Sequence, residues 1–161
     1  MKKLYTLLGL TISFSMNAQM DDNSANNNSA GSYAVAMGYS TTASGNTSTA
    51  MGDSTTASGT LSTAMGNGTT ASGNYSTAMG YVTTASDYAS LVIGQYNSSG
   101  SSATSATSFN TSNTAFVIGN GTDSSNKSDA FKVMFNGDTT VGGDITISSD
   151  ARLKSNIVSL G

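Results

Sequence analysis

The chain has no cysteine, no histidine and no proline among its 161 residues. Without cysteine there is no disulfide and no thiolate centre. The loss of histidine as well removes most zinc chemistry and the usual base of a hydrolytic triad. Charge is scarce: six Lys and Arg stand against nine acids, all of them Asp, and no Lys or Arg falls between Lys3 and Lys127. Binding nucleic acid requires a basic surface that neutralises phosphates, so no nucleic acid partner is expected, and no metal or cofactor either. Asp21 and Asp22 are adjacent acids without a ligand framework, and only Asp53 and Asp87 fall in the central repeats, so the glycine–aspartate nonapeptide of calcium-binding rolls is missing. The absence of proline suits stacked strands that need every backbone N–H.

What is present is a repeat. Ala-Met-Gly occurs at 36–38, 50–52, 64–66 and 78–80, always 14 residues apart, and the next step lands on Val92-Ile93-Gly94. Ala43-Ser44-Gly45, Ala57-Ser58-Gly59 and Ala71-Ser72-Gly73 lie midway, and Ala85-Ser86-Asp87 continues that series without its glycine. Fixed-period self-similarity marks a repeat architecture. Glycine at 38, 45, 52, 59, 66, 73, 80 and 94 rules out a helical heptad, since each glycine inside a helix costs about 1 kcal/mol relative to alanine. The pattern predicts an all-β solenoid. Each half-repeat is a short strand followed by a glycine able to take positive φ and turn the chain. Two strands and two turns close one coil. Alternation then sends Ala50 and Ala64 one way with Ser48 and Ser62, and Met51 and Met65 the other way with Thr49 and Thr63. The paired threonines (Thr41-Thr42, Thr55-Thr56, Thr69-Thr70 and Thr83-Thr84) point to opposite faces and read as β-formers on a solvated wall. A ranked-threonine, ice-binding solenoid is the alternative they raise.

So thin a coil buries little, because apolar burial contributes only about 25 cal/mol per Å². The rank Met37, Met51, Met65, Met79 and Ile93 is the largest apolar feature, and association around a shared axis would bury it. The packing expectation is therefore an oligomer, most simply three-fold. The repeat Ser-x-Ala-Met-Gly-x-x-Thr-Thr-Ala-Ser-Gly-x-x resembles the head repeat of trimeric autotransporter adhesins, the YadA-like head, over about 32–94. Ala115-Phe116-Val117-Ile118-Gly119-Asn120-Gly121 is similar to one further, divergent coil. The resemblance implies a left-handed parallel β-roll, three of which pack as a homotrimer.

Flanking segments fill out the expectation. Lys2-Lys3, the apolar run Leu4–Phe14 and Ala18 read as a secretory signal over 1–18. Its removal leaves an acidic chain, exported to the cell surface, the outer membrane or beyond. Residues 19–31 read as a polar, disordered leader. The roll spans 32–121 with an irregular insert at 95–113. Asp129–Phe135, the Asn136-Gly137 turn, Thr139–Val141 and Asp144–Ile147 predict a β neck over 122–148. Ser149-Asp150-Ala151-Arg152-Leu153-Lys154-Ser155-Asn156-Ile157 resembles the start of the endosialidase-type intramolecular chaperone domain of tail spikes and surface fibres. That family trimerises its fibre and then cuts itself free. The resemblance implies scission of the Ser148–Ser149 bond, with Ser149 as nucleophile and Lys154 as its base, and only a truncated start of that domain in 149–161. The expected function is a surface-fibre or adhesin head that binds an unknown host or surface ligand by multivalent contact and is not an enzyme. A tail-fibre-type protein that cleaves itself before Ser149 is the other alternative.

Overall fold

The computed structural model describes residues 27–100 and 102–145. They form an all-β solenoid. In chain order its strands are β1 (Val35–Tyr39), β2 (Thr42–Ala43), β3 (Thr49–Asp53), β4 (Thr56–Ala57), β5 (Thr63–Asn67), β6 (Thr70–Ala71), β7 (Thr77–Tyr81), β8 (Thr84–Ala85), β9 (Leu91–Gln95), β10 (Thr114–Asn120), β11 (Asp129–Met134) and β12 (Thr139–Val141). Long and short strands alternate, so each coil contributes one to a wide sheet and one to a narrow sheet. The wide sheet runs β1-β3-β5-β7-β9-β10-β11-β12, the narrow one β2-β4-β6-β8. Through the repeats both are parallel and stack in register: Met37 lies beside Met51, Met51 beside Met65, and Met65 beside Met79. The 14-residue sequence period is thus the register of the sheet.

The interior is a column of small side chains. Ala36, Ala50, Ala64 and Ala78 from the wide sheet meet Ala43, Ala57, Ala71 and Ala85 from the narrow one, all fully buried. Ser48, Ser62 and Ser76 share this interior with Thr41, Thr55, Thr69 and Thr83. The first threonine of each pair is therefore a core residue, which corrects the expectation of a wholly solvated threonine wall. Only Thr42, Thr56, Thr70 and Thr84 keep part of their surface outside. The two sheets lie too close together for larger side chains. The alanines widen to Val92 and Val117 only where the narrow sheet has ended.

The glycines are not the left-handed residues of the turns. Positive φ falls on ten residues spaced by seven: Tyr33, Ser40, Thr47, Ser54, Leu61, Gly68, Tyr75, Val82, Ala89 and Tyr96. One glycine occurs among them. From Thr47 on, each corner amide points along the stack to the coil before: Thr47 N–H donates to the Ser32 carbonyl at 2.7 Å, and Val82 N–H to that of Asn67 at 2.8 Å. Gly45, Gly59 and Gly73 instead open the turns, accepting at their carbonyls from Ser48, Ser62 and Ser76. What excludes a side chain there is the next coil: a Cβ on Gly45 would strike the Gly59 carbonyl, and one on Gly59 that of Gly73. Gly38, Gly52, Gly66, Gly80 and Gly94 do have positive φ (93–126°), but inside the wide strands, and each is pressed in the same way on the glycine of the following coil.

The roll ends where the glycine series fails. Asp87 occupies the stacking-glycine position and is 1% exposed. In place of a next narrow strand, the insert folds over it. Its carboxylate accepts from Thr104 N–H at 2.6 Å and Thr114 N–H at 2.8 Å. The Asn97 side chain substitutes for the missing peptide: its Oδ1 accepts from Thr84 N–H at 2.8 Å while its Nδ2 donates to the Thr84 carbonyl at 2.9 Å. Ser86 N–H completes the edge by donating to the Gly100 carbonyl. Buried Asn113 donates through Nδ2 to the Ser105 carbonyl at 2.9 Å. The chain then returns as β10, parallel to β9 with Ile118 beside Ile93. The β11–β12 hairpin, expected as a neck, hydrogen-bonds antiparallel to β10 and continues the wide sheet. It turns at Asn136-Gly137, as its sequence predicts, with Gly137 at φ 93°.

Candidate functional site

The described residues enclose no pocket, so the candidate site is a surface. Because Ala50 and Ser48 face inward, Met51 and Thr49 face outward, and the 14-residue register aligns them into files. Met37, Met51 and Met65 are half-buried, and Met79 is 38% exposed. The file continues through Ile93 to Ile118 and then to Phe131 across the antiparallel pair. A second file starts as Val35, Thr49, Thr63 and Thr77 and becomes apolar at Leu91, Phe116 and Val133. Phe116 and Phe131 meet edge to face at 6.1 Å. One outward face of one sheet thus bears a continuous apolar stripe that widens from one residue per strand to two. The methionines do not fill the roll's interior, which alanine already occupies.

The other anticipated positions fall elsewhere. Gly38, Gly45, Gly52, Gly59, Gly66, Gly73, Gly80 and Gly94 hold coils against coils and present no functional group. Ser149 and Lys154 lie outside the described residues. Among those described, no three acidic, His or Cys residues converge as a metal site. On the narrow sheet the threonines present one outward file, not the paired files an ice-binding face uses.

Four groups of residues carry more structure than sequence reasoning assigned them. Asp87 and Asn97 close the narrow sheet, and the only signal for them was the one glycine missing from its series. Asp129 ties the hairpin to the insert, accepting from Ser98 N–H at 2.8 Å and Ser99 N–H at 2.9 Å. Asp123 organises the 122–126 turn. The Asn126 side chain and then the Ser125 backbone N–H, both donating to its carboxylate, hold its pKa below the usual range. Tyrosines form two edge-to-face pairs across neighbouring coils, Tyr75–Tyr88 and Tyr81–Tyr96, each with ring centroids 5.2 Å apart.

No curated protein and no solved structure matches the chain. The resemblance of 149–161 to a chaperone domain has no counterpart among the family matches, which lie within the roll. Two consecutive segments, residues 29–55 and 57–83, match the YadA head domain repeat, a structural repeat of adhesin-type surface proteins, and the parallel β-roll they form here agrees with that family's head.

Proposed function

We propose that the chain is the head segment of an exported, homotrimeric surface fibre, with the apolar stripe of the wide sheet as its three-fold seam. The observation that carries the reading is that stripe: Met37, Met51, Met65, Met79, Ile93 and Ile118 lie in one outward file and keep part of their surface in solvent. Contiguous exposed apolar surface rimmed by polar residues marks an association face. Glycine and alanine keep each roll thin enough for three to meet closely. The rest of the surface, rich in Ser, Thr and Asn, then faces outward three times over, and adhesion proceeds by avidity from many weak contacts. In this reading residues 1–18 direct export, 19–31 lead into the roll, 32–121 form the head, and 122–148 join the head to the 149–161 segment.

Sedimentation equilibrium of the exported chain tests the reading. A mass of three chains with a β-type circular dichroism spectrum is expected. A folded monomer at micromolar concentration would overturn it, because the stripe would then be stable in water.

A further inference from the structure

Tyr81 ends β7, and Tyr96 follows β9 in the next coil, fifteen residues on. Their backbones are tied, with Tyr96 N–H donating to the Tyr81 carbonyl at 3.2 Å. Their rings stand edge to face at 5.2 Å and 87°. The Tyr96 phenol is raised above its ordinary value, first by its interaction with the Tyr81 side chain. Tyr81 is 46% exposed, which opens the pair to a reagent in solution. The chain has no cysteine, histidine or tryptophan, and no lysine between Lys3 and Lys127, so through the repeats oxidative crosslinking between side chains falls to tyrosine.

We propose that Tyr81 and Tyr96 are a site of oxidative crosslinking, where a peroxide-driven one-electron oxidant of the haem peroxidase class joins the two rings as dityrosine. Each phenol gives one electron and one proton to the oxidant. The two phenoxyl radicals couple at their ortho carbons, and tautomerisation restores both hydroxyls. The new bond is carbon–carbon, and the pair loses two hydrogen atoms in all. One hydrogen peroxide takes up those two electrons and two protons and becomes two waters. The product is a covalent staple between the last two coils of the repeat, at the mouth of the insert. Tyr75 and Tyr88 bridge neighbouring coils at the same ring separation and form a second site. Tyr33 and Tyr39 are exposed and have no ring partner among the described residues.

The test treats the full chain, dilute, with a haem peroxidase and hydrogen peroxide. Digestion before aspartate then separates residues 53–86 from 87–122 unless a crosslink joins them. The expected product is the two fragments joined, lighter than their sum by two hydrogens, with dityrosine fluorescence and a single-chain mass on a denaturing gel. Y96F should remove the product joined through Tyr81, Y96F/Y88F all of the joined fragment, and Y33F/Y39F none. Y81F/Y75F repeats the loss from the other side of each pair, with the circular dichroism spectrum reporting that the roll is intact. Absence of the joined fragment from the unmutated chain, its persistence in Y96F/Y88F, or dityrosine only between chains would each overturn the proposal.

Discussion

A glycine in this roll is defined by the carbonyl stacked against it. At Gly52 an added Cβ would strike the Gly66 carbonyl, and the backbone already holds φ at 123°, a conformation closed to L side chains. Neither neighbour can yield, because both belong to a stack held in register. Gly52→Ala should therefore destabilise the protein by more than about 3 kcal/mol, seen as a large drop in the urea midpoint. The interior hydroxyls point the other way. Ser76 Oγ donates to the Ala85 carbonyl at 3.2 Å, but Ser48, Ser62, Thr55, Thr69 and Thr83 are buried with no partner for theirs among the described residues. An unpaired buried hydroxyl costs about 1–3 kcal/mol. Thr69→Val keeps the shape and removes the orphan, so it should be stabilising, by about 1 kcal/mol; a clear loss of stability would show that the hydroxyl is satisfied in solution.

At the scale of the element, the period was legible in sequence and the turn was not. Met and Ala recur at one spacing because the parallel register demands it, so counting residues amounts to reading the sheet. The left-handed corners escaped because Ser40, Ser54, Gly68, Val82 and Tyr96 share a backbone conformation and no chemistry. From Ser54 on, each is held by its amide bond to the coil before, which overrides the side chain's preference. The glycines misled for a related reason: glycine serves close approach as well as positive φ, and here the first use dominates the Ala-Ser-Gly series. Asp87 was visible only as a gap in that series, yet it decides where the narrow sheet stops. Its carboxylate holds the amides of Thr104 and Thr114, bonds to a charged acceptor worth about 1.5–3 kcal/mol each. Asp87→Asn keeps the size and one acceptor, so the loss should be about 2–3 kcal/mol. It should fall on the insert, with amide exchange quickening in residues 98–113 while the Ala43–Ala71 column stays protected. Uniform loss of protection would instead make Asp87 part of the global core.

For the whole molecule, the proposed trimer raises the question of which face meets another chain, and two outward files compete. The narrow sheet presents Thr42, Thr56, Thr70 and Thr84, side chains with both a methyl and a hydroxyl, which water accepts. The wide sheet presents methionine, isoleucine and phenylalanine, whose transfer from water contributes about 25 cal/mol per Å² buried. That gain grows with every coil, since each adds one more methionine to the proposed seam. The flexible thioether also tolerates small mismatches between rolls. Placing a charge in the file reverses the balance, because an unpaired ammonium in a closed seam costs several kcal/mol, and a trimer brings three to one level. Met51→Lys/Met65→Lys should thus reduce the sedimenting mass from three chains to one. The β spectrum of the single roll should persist, because neither methionine contributes to the alanine interior. Thr56→Lys/Thr70→Lys carries the same added charge on the opposite sheet and should leave the mass at three chains. If the threonine pair dissociates the assembly and the methionine pair does not, the seam lies on the narrow sheet, and the methionine file would become the surface available to an external partner.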